Sequence, residues 1–393
     1  MRKFTLFTGV GLLIFLEVAR VYFIMPFPGS QEKNMLIISY WLDQNISWLR
    51  LILVVMFSYE TWRNYSIFNI WWKVVLSVML LIYCVVFYFF NFRFLAARMF
   101  YQPKIVQFSG SADNRVGQDK LVIGLMLNGK AKAYPIQLIG YHHQVRDKVG
   151  GEDVMVTYCT VCRTGRVYRP VVKGKVEDFR LVGMDQFNAL FEDASTKSWW
   201  RQATGEAVAG PLKGVKLAEI PVQQMTLQAW VSLHPNTMIL QPDPNFQKEY
   251  DHLAYYDKGL IKSTLEYRDT TSWKKKSWVV GISHDGVSKA YDWNNLFQKK
   301  LVTDSLPGLP LLVVMEKDGE TFHTWNRKLG NRVLNFQLGT STNEMIETNS
   351  GSMWSFNGTC IAGSMKGAKL ELVQSYQEFW HSWKTFHPNT QRY

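Results

Sequence analysis

Hydrophobic positions in this chain follow two regimes. Up to about residue 110 they form long runs; beyond it they sit in short alternating stretches broken by Gly, Pro, Asn and Asp. The first run, 4–25 (FTLFTGVGLLIFLEVARVYFIM), is long enough as a helix to cross a hydrocarbon core of roughly 30 Å. Glu17 and Arg20 interrupt it, three apart on one helical face, and are expected to offset each other's burial. Those charges, with no small-x-small cleavage site after them, separate the run from a removable signal peptide. A weaker run covers 46–61, and the clearest, 71–90 (WWKVVLSVMLLIYCVVFYFF), has aromatic anchors at both ends. The pattern predicts three transmembrane helices, 4–25, 46–61 and 71–90, within a membrane anchor over residues 1–104.

After the anchor the pattern is that of strands and tight turns, and it occurs twice. LVIGLMLNGKAKAYP (121–135) and WVVGISHDGVSKAYDW (278–293) share Gly124/Gly281, Gly129/Gly286, Lys132/Lys289, Ala133/Ala290 and Tyr134/Tyr291 at a separation of 157. Each reads as a strand, an Asn-Gly or Asp-Gly turn suited to two positive φ angles, and a second strand. GPLKGVKL (210–217) matches GSMKGAKL (363–370), and QAWVSLHPNT (228–237) matches HSWKTFHPNT (381–390), both at a separation of 153. The predicted fold class is therefore α+β, rich in β, with two related lobes, 105–245 and 246–393, after a helical transmembrane anchor.

The repeat acts as an internal control: features in both lobes are framework, and features in one are candidates for chemistry. His234 and His387 share the HPNT motif and read as capping or buried bonding groups. Cys159 and Cys162 fall opposite Glu316 and Gly319 of EKDGE, an ordinary turn, so the first lobe is where chemistry is expected.

Composition changes the picture little. The +12 net charge divides evenly, with ten Lys/Arg against four Asp/Glu before residue 111, and the soluble part has no basic stripe suited to nucleic acid. The lipid bilayer is the partner expected of the N-terminal helices. Arg2 and Lys3 favour a cytoplasmic start; three spans then put the soluble part outside, periplasmic in a bacterial inner membrane, and two would leave it cytoplasmic.

Four cysteines make no disulfide framework, and only Cys159 and Cys162, in VTYCTVCRTGRVYR (156–169), are spaced as a unit. Three readings stay open. As a thiol pair they would exchange with a thiol–disulfide partner, helped by cations at Arg163, Arg166 or His142; both flanks read as strands, unlike a thioredoxin-type helix start. As metal ligands they would need His142, His143 or Asp147 to complete a set, His142 first among them. As a structural turn they would be inert. The sequence names no cofactor, and it lacks a P-loop, a dinucleotide fingerprint and Ser-His-Asp spacing.

The stretches HHQVRDKVGGEDVMVTYCTVCRTGRVYRP and NALFEDASTKSWWRQATGEAVAGPLKG resemble a bacterial family catalogued as domain of unknown function 3179. The matching positions include His142, Asp147, Gly150 and Gly151; Thr157, Tyr158, Cys159 and Cys162; and Asn188, Asp193, Thr196, Ser198, Trp200 and Gln202. Some relatives are described as selenoproteins, which implies redox or nucleophilic chemistry at the cysteine motif. Thr160, Arg163 and Thr164 depart from the family pattern. The expected catalytic residues are Cys159, Cys162 and His142, with Tyr158, Arg163, Asp147, Asn188, Ser198 and Gln202 as binding residues. A thiol-dependent oxidoreductase is the leading expectation; a ligand- or partner-binding module with a structural CxxC, and a metal-dependent enzyme, are the alternatives.

Overall fold

The computed structural model describes residues 2–341 and 343–393, apart from the side chains of residues 2–5 and Asn64. It is α+β, with nine four- to twenty-nine-residue α-helices and many short, mainly antiparallel sheets among the described residues. Two compact units are present: residues up to Tyr101 together with Glu177–Lys216, and Gln102–Val176 together with Leu217–Tyr393.

The first unit begins with α1 (Arg2–Tyr22), α2 (Leu36–Asn64) and α3 (Ile70–Tyr88), the last running on into a π-turn at Phe89–Arg93. Leu6, Val10, Phe68 and Leu76 form the contact between them. Among the described residues, one helical stretch, Ile70–Arg93, is long and apolar enough to cross a membrane. Glu17 and Arg20 do not pair directly. Glu17 is paired with Arg50 and accepts from Asn91 at 2.9 Å, whereas Arg20 reaches Asp43 at 3.3 Å and Asn91 at 2.8 Å. Both point into the bundle, where long side chains of neighbouring helices meet them; the π-turn brings Asn91 to the junction of the two pairs.

The same unit holds an antiparallel sheet of Phe179–Asp185, Asn188–Asp193, Trp199–Arg201 and Ala207–Ala209. Its apolar face (Val182, Leu190, Trp199) packs on Ile24, Leu36 and Tyr40. Gly183 permits this approach: a Cβ there would lie 2.2 Å from the Ile24 carbonyl oxygen.

In the second unit, two sets of strands follow one plan. The hairpin Leu121–Leu127/Lys130–Pro135 is flanked by Gln223–Thr226 and Met238–Leu240, and Trp278–His284/Val287–Asp292 is flanked by Tyr376–Phe379 and Gln391–Arg392. Asn128 and Gly129 have φ of 48° and 74°, and Asp285 and Gly286 have 47° and 78°, the positive pair those dipeptides tolerate. A seven-residue helix follows each hairpin, Ile136–His142 and Trp293–Lys299, and each ends at a left-handed residue, His143 or Lys300. A second sheet comes next: Gln144–Val149, Glu152–Cys159, Thr164–Tyr168 and Glu219–Ile220 in one set, and Leu301–Leu306, Leu309–Met315, Phe322–Asn326 and Glu371–Leu372 in the other. Phe336–Leu338, Glu344–Glu347, Met353–Ser355 and Cys360–Ala362 make a further sheet around Trp354 and Phe336.

Candidate functional site

The turn bearing the cysteines joins two antiparallel strands in register Cys159↔Thr164. Arg163 adopts a left-handed φ of 54° and its N–H donates to Thr160 O at 3.3 Å, which closes the turn. Strands flank it on both sides, so the cysteines do not open a helix of their own. Cys159 and Cys162 are thiols, not a disulfide, and both are fully buried.

Strands and loops from much later in the chain cover this turn. Phe379 N donates to Cys162 O at 2.9 Å. The Lys276 amino group donates to Val161 O at 2.8 Å, and to Leu265 O, and stands 4.6 Å from the Phe379 ring centre. Burial lowers the Lys276 pKa to about 8, while Cys162, Cys159 and Glu266 draw it back up. His381 Nε2 lies 3.2 Å from Val161 O and 3.4 Å from Lys276 Nζ. Burial, then Lys276 and Lys275, lower the His381 pKa to about 3, so its ring is neutral. A neutral Nε2 donates to the carbonyl in one tautomer and accepts from the ammonium in the other.

The arginines in the motif are committed elsewhere. Arg163 donates to Gln377 Oε1 at 3.0 Å, Tyr256 O at 3.2 Å and Asp257 O at 2.9 Å, with its guanidinium 3.7 Å from the Trp278 ring centre. Arg166 pairs with Glu378 at 2.5 Å and stacks 3.2 Å from the Tyr376 ring centre. Thr164 Oγ1 accepts from Arg166 at 2.7 Å and donates to Glu378 at 2.8 Å. Burial pulls the Arg166 pKa down, but Glu378, Tyr376 and Glu219 more than offset it, leaving it above its ordinary value. Arg163, Arg166 and His142 were the expected cations for the thiols; the buried Lys276 ammonium is one that interacts favourably with both.

His142 is buried in an aromatic cage. Its Nε2 is 2.6 Å from the Tyr250 hydroxyl, with Tyr141 and Phe246 packed around the ring. Among the described residues no three His, Cys, Asp or Glu side chains are gathered closely enough to hold a metal ion. The expected His142/Cys159/Cys162 ligand set is therefore not assembled. The left-handed His143 ends the helix before the strand begins, and the His142 ring turns to Tyr250. Asp147 accepts from Lys132 at 2.7 Å and from the Tyr134 hydroxyl at 2.6 Å. Asp304 accepts from Lys289 at 2.8 Å and Tyr291 at 2.9 Å in the same way. Tyr158 is wholly buried, its backbone N–H on His143 O at 3.0 Å.

Asn188, Ser198 and Gln202 lie in the first unit and bond within it. Asn188 Nδ2 donates to Gln202 Oε1 at 3.0 Å and its Oδ1 accepts from Ala203 N at 2.8 Å. Ser198 Oγ is 2.8 Å from Thr196 Oγ1 and accepts from Leu212 N at 3.1 Å. Asp193 caps the Thr196 turn, accepting from its N–H at 2.6 Å and from Trp200 Nε1 at 2.9 Å. Glu347 accepts from Ser350 N at 2.7 Å in the corresponding turn of the other unit.

Lys276, His381 and Glu378 were missed by the sequence reading. A signal for His381 was present: in the matched 228–237 and 381–390 segments it stands opposite Gln228, so the comparison that singled out the cysteines also marks it. Lys276 closes the run Lys274-Lys275-Lys276, whose plain reading is a solvated charge cluster.

The family model described as "Protein of unknown function (DUF3179)" matches residues 101–390. No curated protein and no solved structure matches the chain.

Proposed function

Starting from the chain's membership of the DUF3179 family, we propose that it is a membrane-anchored thiol redox protein whose working pair is Cys159 and Cys162. The observation behind this reading is the buried Lys276 amino group, which bonds the carbonyl of Val161, between the two cysteines in the chain, at 2.8 Å. An ammonium in a dry environment favours the thiolate, the form that attacks a disulfide. One thiolate attacks a sulfur of a partner disulfide and expels the partner's other sulfur as thiolate. The second cysteine then displaces the mixed disulfide, giving a Cys159–Cys162 disulfide and a reduced partner; two electrons and two protons leave the pair.

Other parts of the reading belong with it. The two strand sets, alike in order and register, are read as products of an internal duplication. The soluble part is assigned to the periplasmic side of a bacterial inner membrane, from Arg2 and Lys3 before an odd number of spans. The lipid bilayer is the partner of the N-terminal helices.

A second reading has its own support. The thiols are fully buried, and Phe379, Lys276 and His381 all meet the backbone of the turn. That suits a binding module in which the CxxC turn is a docking point between lobes. Alkylation of the full chain in nanodiscs separates the two. Redox chemistry requires that a disulfide form reversibly with a dithiol–disulfide buffer, and that iodoacetamide label the reduced pair more slowly in Lys276→Met. Thiols inert to both reagents in the folded protein would leave only the binding module.

A further inference from the structure

We propose that the cleft beside the first hairpin binds a small amphipathic oxyanion, a phosphate or carboxylate joined to a short apolar group. This is independent of the thiol reading. The cleft has a volume of about 670 Å³, within the range of small-molecule sites. Lys130, Lys132 and Lys148 line it, together with the apolar side chains of Met126, Leu233 and Met238. No carboxylate lines it. Two of the lysines have acidic partners outside the lining: Asp147 takes Lys132 at 2.7 Å, and Asp153 takes Lys148 at 2.7 Å on the exposed surface. Lys130 has no ion-pair partner among the described residues. Met126 and Met238 are 44% and 39% exposed, unusually open for thioethers and adaptable to an alkyl group.

The second strand set provides a comparison within the molecule. Lys289 makes the same bond to Asp304 that Lys132 makes to Asp147, so that pair is framework. The other four positions differ. Val287 and Ser305 stand where the first set has Lys130 and Lys148, and Ser283 and Gln391 stand where it has Met126 and Met238. Two extra amines and two exposed thioethers thus occur together, on one cleft, in one half only. Amines and apolar side chains on one cleft, with no carboxylate in its lining, match a ligand that has both a charged and an apolar end.

Calorimetric titration of the full chain in nanodiscs of zwitterionic lipid tests this with hexyl phosphate, inorganic phosphate and hexanol. Hexyl phosphate should bind at least tenfold more tightly than inorganic phosphate, and hexanol should show no saturable binding. Lys130→Met with Lys148→Met should weaken hexyl phosphate at least tenfold. Met126→Ser with Met238→Gln should erase its advantage over inorganic phosphate while keeping phosphate binding. All four side chains are on the surface, so both variants should melt with the parent. Unchanged hexyl phosphate affinity in the lysine variant, or equal binding of hexyl phosphate and inorganic phosphate by the parent, would overturn the proposal.

Discussion

Gln224 and Gln377 occupy matching places in the two strand sets and hydrogen-bond to each other. Gln224 lies opposite Ile123 and Gln377 opposite Val280, each on the strand added to the leading hairpin. The Gln224 amide donates to Gln377 Oε1, which also accepts from Arg163 Nε at 3.0 Å. One oxygen therefore ties the two halves together and fixes the arginine of the cysteine turn.

Loss of that oxygen should cost more than loss of its partner. Gln377→Leu strands two buried donors, each worth about 1–3 kcal/mol when left unmet. Gln224→Leu leaves the Arg163 bond in place. Urea unfolding of the two variants should show the larger drop in midpoint for Gln377→Leu; equal drops would mean that Arg163 finds another acceptor.

The Arg166–Glu378 pair should respond asymmetrically to mutation. Both side chains are almost wholly buried, at 2% and 1% exposure. Glu378→Gln removes the countercharge from a desolvated guanidinium, an effect of about 3–5 kcal/mol for buried pairs. Glu219, 3.6 Å from Arg166 and one-third exposed, should hold the loss toward the lower end. Arg166→Met with Glu378→Met should recover most of the stability. Denaturant midpoints of the single and double variants check the expectation.

Two buried histidines should make the fold acid-sensitive. Burial lowers His143 to about 4 and His381 to about 3, against an ordinary value of 6.5. Between those values the unfolded chain binds more protons than the folded one, so stability rises with pH through this window. It is fully present above about 6.5 and is lost as pH falls toward 4 and then 3. His381→Gln should flatten the slope of unfolding free energy against pH between 4 and 6.5, leaving the His143 share. An unchanged slope would mean that the His381 ring is already charged in the fold.

What was legible in the sequence was local or repeated. The Asn-Gly and Asp-Gly hairpins, the strands flanking Cys159 and Cys162, and the Trp-bearing helices before His234 and His387 follow from turn chemistry and spacing. The surroundings of the cysteines did not follow, because they come from residues about a hundred or more positions away. Nothing in a run of three lysines tells which one goes under Phe379 and becomes desolvated. The placing of Glu177–Lys216 with the helices was equally hidden, since it depends on Ile24, Leu36 and Tyr40 meeting one face of a sheet whose alternation fits either neighbour. The family motif marks Asn188, Ser198 and Gln202 as binding residues, whereas their hydrogen bonds are local: Asn188 with Gln202 and Ala203, and Ser198 with Thr196 and Leu212.

The strongest test of the shared plan is a pair of glycines. Gly124 and Gly281 each lie under a tryptophan, and a Cβ would fall 2.3 Å from Trp230 Cε3 or 2.2 Å from Trp383 Cε3. Neither ring is free to swing aside. Trp230 Nε1 donates to Thr237 Oγ1 and Trp383 Nε1 to Thr390 Oγ1, both at 2.8 Å, while His234 and His387 pack on the rings with centres 4.1 Å and 3.7 Å away. Overpacking a rigid core site costs about 1–3 kcal/mol, and more where backbone must move. Gly124→Ala and Gly281→Ala should each fall at or above the top of that range, and by similar amounts. Gly110→Ala, at φ −71° with nothing within 4 Å of the added carbon, should be nearly neutral. Thermal melts of the three variants decide the matter: a large loss in one half and none in the other would show that the two tryptophan clamps, alike in geometry, do not bear the same load.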